Sequence, residues 1–203
     1  MAFLNDYFDE IWCINLERRP DRWNDVQKEF DKYGIKVKRS NAVDGKTLPI
    51  HPDQIVSANE MGCTTSHLNL IKDMIDRKLD RILIFEDDIY FNADPNQRVH
   101  GVIEYMPVKW DMLYLGGNHV KPLIKAGSIW KCTRTFTTSA YAITREFGQR
   151  ILNEYTPSKR QIDVIYADTH PRGNSFAISP GCCGQKAGFS DIQNAHVDYT
   201  KFF

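Results

Sequence analysis

Glu86, Asp87 and Asp88 stand side by side directly after the apolar run Ile82-Leu83-Ile84-Phe85. Three adjacent carboxylates repel one another unless a positive group sits among them. A hard divalent cation with oxygen ligands, manganese or magnesium, is the natural partner. The apolar run has the composition of a strand buried on both faces, and its C-terminal end is where open α/β sheets bind ligands. A solvated acidic turn after a core strand would read the same way, so the triplet alone leaves both readings open. A second charged cluster, Arg18, Arg19 and Arg22, suits an anion because guanidinium matches phosphate geometry. Placed at the start of a helix, one or two of these arginines also fit a plain solvated face.

Positioning these groups takes an alternation of strands and helices. Ile11 to Leu16 read as a first strand. Pro20 fits the first turn of a helix, where its missing N–H costs little. Trp23, Val26, Phe30 and Tyr33 give that helix one apolar stripe, and Gly34 is its stop. Ile35 to Val43 fit a half-exposed strand, closed by the turn signal Asp44-Gly45. The next helix is expected to start near Thr64 to Ser66, with Leu68, Ile71, Met74 and Ile75 on one face, and to feed strand 81–86. A helix over 96–106 and a short strand from Asp111 to Leu115 follow, the strand closed by Gly116-Gly117. A strand from Ser139 to Ile143 leads into a helix with Phe147, Ile151, Leu152 and Tyr155 inward. From about residue 157 the pattern weakens, and the glycines and cysteines between Gly181 and Gly188 read as loops. The order predicts an α/β sandwich with a mostly parallel central sheet.

The 203 residues suit one domain, and 42% hydrophobic content is enough for a real core. Lys plus Arg balances Asp plus Glu at 26 each, which disfavours a nucleic-acid binder. The first ten residues lack a basic leader, and no stretch reaches the roughly 20 apolar residues that cross a bilayer. Five cysteines without paired C-x-x-C spacing argue against a zinc ribbon or a disulfide framework. A cytoplasmic protein is expected.

Several strings then fall in order: Ile14-Asn15-Leu16-Glu17-Arg18-Arg19-Pro20-Asp21-Arg22, Asn41-Ala42-Val43-Asp44-Gly45, Gly62-Cys63-x-x-Ser66-His67, Leu83-Ile84-Phe85-Glu86-Asp87-Asp88, Trp110-Asp111-x-Leu113-Tyr114-Leu115-Gly116 and Ala140-Tyr141-Ala142-Ile143-Thr144. In this order and spacing the chain resembles the family 25 glycosyltransferases, which include lipopolysaccharide and lipooligosaccharide galactosyltransferases and procollagen galactosyltransferases. The likeness runs from residue 10 to about 170. It departs at Ile71, where the family often has Trp, and the chain ends soon after Ile192, so a reduced acceptor region is expected.

The resemblance implies a GT-A-type nucleotide-sugar-binding sandwich in one domain over 1–203, with a nucleotide-binding part near 8–118 and an acceptor-side part near 119–203. It implies a UDP-sugar donor (UDP-galactose or UDP-glucose), a glycan or protein acceptor, a manganese or magnesium ion, and inverting transfer. Asp88 would be the direct metal ligand, with Glu86 beside it toward the sugar or ribose and Asp87 on the donor side. Asn15, Leu16, Arg18 and Arg22 would hold the nucleotide, and Asp44 would lie near the base or ribose. Asp163 matches an aspartate that could serve as general base; it also fits a helix N-cap, and Asp191 and Asp168 are rivals. His196 is a candidate late metal ligand, or a solvated residue. His67 reads as structural, Gly116-Gly117 as a turn or a place of close backbone approach, Thr138 as acceptor-side, and Tyr141 as acceptor-side or core. A catalytically silent binding module and a nucleotidyltransferase are the competing readings.

Overall fold

The structure is a computed structural model describing residues 2–49, 53–154 and 160–200. Helix α1 (Phe3–Tyr7) precedes β1 (Glu10–Asn15), α2 (Pro20–Lys32) and β2 (Lys38–Asn41). A 3-10 turn (Gly45–Thr47) leads to α3 (Ala58–Asp76), β3 (Arg81–Glu86), β4 (Ile89–Phe91), α4 (Pro95–Ile103) and β5 (Met112–His119). The hairpin β6 (Ile124–Ala126) and β7 (Ile129–Lys131) is followed by β8 (Thr135–Thr144), α5 (Arg145–Glu154) and α6 (Ile162–Thr169). Four short strands finish the described chain: β9 (Ser175–Ala177), β10 (Cys183–Gln185), β11 (Gly188–Ser190) and β12 (Ala195–Val197).

Eight strands form one sheet in the order β2-β1-β3-β8-β5-β9-β7-β6. β2, β1, β3, β5, β9 and the edge strand β6 run one way, while β8 and β7 run against them. The sheet is therefore mostly parallel, and helices cover both of its faces, as expected for the α/β class. β3 explains the two-sided burial. Leu83 and Phe85 point into a cluster with Val26, Phe30 and Val99 of α2 and α4. Ile82 and Ile84 point the other way, among Ile71, Met74, Phe147 and Tyr166 of α3, α5 and α6. Period-two alternation with apolar residues on both faces is what a central strand requires. β8 is inserted between β3 and β5, so residues from both halves of the chain share one sheet.

Several boundaries differ from the sequence reading. α3 starts at Ala58, well before Thr64, because Ser57 and Glu60 form a capping box: the Ser57 hydroxyl accepts from the Glu60 N–H and the Glu60 carboxylate accepts from the Ser57 N–H. Gly116-Gly117 does not close β5. The strand continues to His119 through register shifts against β8. The stretch between Gly181 and Gly188, read as loops, contains β10, and the weakly patterned region from about 157 also holds α6 and β9, which pairs in the main sheet with β5 and β7. Tyr155 lies outside the described residues. α2 follows its pattern: Pro20 opens it, Val26 and Phe30 are buried, and Gly34 adopts a left-handed φ of 65° just past its end.

Candidate active site

Strand register builds the site. β1 and β3 pair with Ile14 opposite Glu86, which sets Asn15 beside Asp87 just past the strand ends. β8 pairs Ala140 with Phe85, so Thr138 overlooks Glu86. β10 pairs Gln185 with Ile89 of β4, which brings Gln185 to Asp88. These contacts gather Glu86, Asp87 and Asp88 on the floor of a pocket. Leu16, Arg18, Arg22, Val43, Asp44, Cys63, His67, Gln185 and Asp191 are among the residues around it.

The three carboxylates have different surroundings. Asp87 Oδ1 accepts from Arg22 at 2.9 Å, and its Oδ2 accepts from the Asn15 amide at 2.5 Å. Burial pushes the Asp87 carboxyl upward, with Arg22 and Asn15 opposing it. Burial also works to raise Glu86, yet hydrogen bonds from His67 (3.2 Å) and Thr138 (2.7 Å) hold it below the usual carboxylate range. Asp88 accepts from the Gln185 amide at 2.9 Å through Oδ2, while its Oδ1 is buried with no hydrogen-bond partner among the described residues. Burial, and then the charges of Glu86 and Asp87, push Asp88 up to about 7. An orphaned buried carboxylate oxygen beside two further acids is a donor set that fits a hard divalent cation.

Arginines from the β1–α2 junction line one side. Arg18 bridges Asp44 and Asp191, each at 2.7 Å, and Arg19 reaches Asp191 at 2.5 Å and Asp21 at 2.8 Å. Arg22 also donates to the Phe189 carbonyl at 2.5 Å. The β11–β12 hairpin is thus pinned over the pocket by ion pairs. The Arg18 hydrogen bond lowers the Asp44 carboxyl, and Arg18 and Arg19 together overcome burial to lower Asp191.

Leu16, Arg18, Arg22, Asp44, Glu86, Asp87 and Asp88 are therefore brought together. Asn15 is 1% exposed and sits behind the pocket, spending its side chain on Asp87, Arg39 and the Arg19 carbonyl. His196 stands exposed on β12, its ring edge against Phe189 at 5.6 Å, away from the pocket lining. Asp163, in the first turn of α6, lines a second chamber with Thr137, Thr138 and Tyr199. Cys63, Glu86, Gln185, Ser190 and Ile192 border both spaces, so the two chambers adjoin. Asp163 caps no helix with its side chain: it accepts from the Thr137 N–H at 3.4 Å, and burial raises its carboxyl. Asp168 is exposed and paired with Arg134 and Arg160, whereas Asp191 is in the first pocket.

His67 is fully buried and links the site to the core: its Nδ1 meets the Tyr141 hydroxyl at 2.9 Å, and Tyr141 meets Tyr166 at 3.2 Å. Tyr141 is thereby a core residue. Thr138, expected on the acceptor side, lines the second chamber and donates to Glu86; Gln185 is a contribution that charge and motif patterns do not signal. Gln185 is delivered by β10, a strand of three residues whose pairing is entirely long-range. Gly45 and Gly62 set the wall next to Asp44. A Cβ on Gly62 would lie 2.6 Å from the Val43 carbonyl oxygen, and one on Gly45 would lie 2.2 Å from that of Ala58.

Comparison with known proteins agrees with this geometry. Residues 8–127 match the model for glycosyltransferase family 25 (LPS biosynthesis protein). Procollagen galactosyltransferase 2 of Mus musculus is 29% identical over 81% of this chain and 31% of its own length. The inactive glycosyltransferase 25 family member 3 of Homo sapiens is 30% identical over 81% of this chain and 32% of its own. The chain thus spans about a third of the length of these relatives. The crystal structure of A197 from STIV shares the fold, with a TM-score of 0.51, 12% identity, and coverage of 93% of this chain and 92% of that one. The chain belongs to glycosyltransferase family 25.

Proposed function

We propose that this chain transfers a hexose, galactose or glucose, from a UDP-sugar to a hydroxyl of a glycan or protein acceptor, with inversion. The observation that carries the reading is the buried, unpartnered Oδ1 of Asp88 in a pocket walled by Arg18 and Arg22. Asp88, with Glu86 beside it, would hold a manganese or magnesium ion; when bound, that ion supplies Lewis-acid stabilisation of the leaving diphosphate. Arg22 neutralises Asp87 and offers its remaining N–H groups toward the diphosphate, and Arg18 does so from the pocket rim. Asp44 and the backbone around Val43 suit contacts to the ribose or base. Asp191 occupies the guanidinium groups of Arg18 and Arg19, so an incoming diphosphate exchanges one anion for another there.

Inversion needs a base on the face opposite the leaving group. Asp163 borders the adjoining chamber, and its raised pKa suits a carboxylate that takes a proton. In the step, an acceptor oxygen bonds to the anomeric carbon as the bond from that carbon to the diphosphate oxygen breaks. The hydroxyl proton passes to Asp163, and the diphosphate leaves with the electron pair. His196, exposed on its hairpin, has no part in this scheme.

A second reading is a silent nucleotide-sugar- or carbohydrate-binding module. The relative named inactive and the Asp191 ion pairs across Arg18 and Arg19 favour it. A thermal-shift screen of nucleotide sugars with and without manganese, followed by assay of nucleoside diphosphate release, separates the two. Stabilisation with release supports transfer, and stabilisation without release against any acceptor supports the module. No stabilisation by any nucleotide sugar contradicts transfer and the nucleotide-sugar-binding form of the module.

A further inference from the structure

Asp88 and its neighbours are not the only ligand set bordering the pocket. Cys63, His67 and Glu86 each offer one ligand atom, and the three atoms lie within 4.8 Å of one another. Cys63 and His67 are four residues apart on α3, so their side chains share a face. Glu86 comes to them from the end of β3. This set differs in kind from Asp88, because a thiolate, an imidazole and a single carboxylate suit a zinc-class ion better than manganese or magnesium.

The imidazole is already oriented. His67 Nδ1 lies 2.9 Å from the buried Tyr141 hydroxyl, which in turn lies 3.2 Å from the Tyr166 hydroxyl. Without a metal, Nε2–H donates to Glu86 Oε1 at 3.2 Å; in the other tautomer, with Nδ1–H donating to Tyr141 and Tyr141 donating to Tyr166, Nε2 frees its lone pair for a metal held between it and Glu86. A metal-binding imidazole is commonly held this way, its other N–H given to a fixed acceptor. Zinc bonds of about 2.0 Å to nitrogen and oxygen and about 2.3 Å to sulfur place tetrahedral ligand atoms roughly 3.3–3.8 Å apart. His67 and Glu86 have that spacing, and Cys63 closes the set by a shift of about an ångström. Cys63 borders both chambers, so the fourth position faces open space.

We propose that Cys63, His67 and Glu86 form a second metal site, of zinc class, with its fourth coordination position open to the pocket. Binding forms the sulfur–metal bond and releases the thiol proton to solvent. Glu86 belongs both to this set and to the acidic floor, so a zinc-class ion here withdraws a carboxylate from the donor pocket. That antagonism rests on the glycosyl-transfer reading; the site itself does not.

The test is a titration of the full chain with cobalt(II), a spectroscopic stand-in for zinc, under reducing conditions. The wild type should show tetrahedral visible bands and a thiolate-to-cobalt charge-transfer band, saturating at about one equivalent. Cys63→Ser should abolish the charge-transfer band and weaken binding at least tenfold, whereas Asp88→Asn should retain the band. Its absence in the wild type, or its survival in Cys63→Ser, overturns the site. If Cys63→Ser does not fold, alkylation of wild-type Cys63 gives the answer. Zinc should slow labelling at least tenfold and manganese should not, while equal rates with and without zinc overturn the proposal. Neither readout uses a nucleotide sugar, so failure here leaves the transfer reading standing.

Discussion

Arg22 holds Asp87 at 2.9 Å and stops 3.6 Å short of Asp88. Adjacent carboxylates thereby take different work. Asp87 is neutralised and fixed by Arg22 and Asn15, and Asp88 is left crowded, buried and with one oxygen unpaired. A group whose folded pKa is raised contributes stability at low pH that is lost as pH rises toward that value. For Asp88 the window runs from its ordinary 3.8 to about 7. The metal-free wild type should therefore be less stable at pH 8 than Asp88→Asn, by about 1–2 kcal/mol once coupling to Glu86 and Asp87 is discounted. Thermal melts in a chelator at pH 4, pH 5 and pH 8 check this: the variant's advantage should be smallest at pH 4, grow through pH 5 and be largest at pH 8. Such a gain on removing a functional charge is a stability–activity trade-off.

His170 carries a pH effect of the opposite sign. It is fully buried, its Nδ1 accepts from the Thr135 N–H at 3.2 Å, and Nε2–H therefore donates to the Tyr114 hydroxyl at 3.2 Å. Burial, aided by the His119 and Arg134 charges, lowers its pKa to about 4. The unfolded chain binds this proton below about 6.5 and the folded one does not. Stability should fall as pH drops from 6.5 to 4, by about 3 kcal/mol in all. Denaturant melts across that range, compared with His170→Gln, isolate the contribution, since glutamine can keep both hydrogen bonds without titrating.

Gly62 and Gly45 let α3 and the 3-10 turn pack backbone to backbone beside Asp44. Gly62→Ala should cost about 1–3 kcal/mol by overpacking and weaken nucleotide binding through displacement of Asp44. Urea melts read the first effect. Nucleotide affinity measured on the remaining folded protein reads the second.

Asp163→Asn keeps the shape of the chamber wall and removes the base. Transfer should fall by a factor of about 100–10,000 while donor affinity stays within about twofold. Steady-state kinetics with separate donor-binding measurements check the split. Normal turnover in this variant would assign the base elsewhere, Asp191 in the adjoining pocket being the next candidate.

The site's legibility in the sequence followed the range of the interactions that make it. β3 and the acidic triplet could be read because eight consecutive residues carry the whole pattern. α2 could be read because Pro20, the Val26–Phe30 stripe and Gly34 are all local signals. The first turn of α3 was missed because Ala58 to Cys63 carry little apolar periodicity, although Ser57 and Glu60 gave a capping signal three residues apart. β9 and β10 are three residues each and owe their existence to partners far along the chain. Gln185 was invisible as a pocket partner for the same reason, whereas Thr138, read as acceptor-side, lines the second chamber and also donates to Glu86. Asn15 looked like a ligand-facing residue from its motif, whereas register turns it toward Asp87 and Arg39.

The central claim is that Asp88 supports metal-dependent binding of a nucleotide sugar, and calorimetry of UDP-galactose and UDP-glucose, with and without manganese, tests it most directly. The account predicts that manganese strengthens binding of one of these donors at least tenfold in the wild type at pH 8, that the gain shrinks toward pH 6 as Asp88 takes up a proton, and that Asp88→Asn abolishes it. Equal donor affinity with and without manganese, or an undiminished manganese effect in Asp88→Asn, would contradict it.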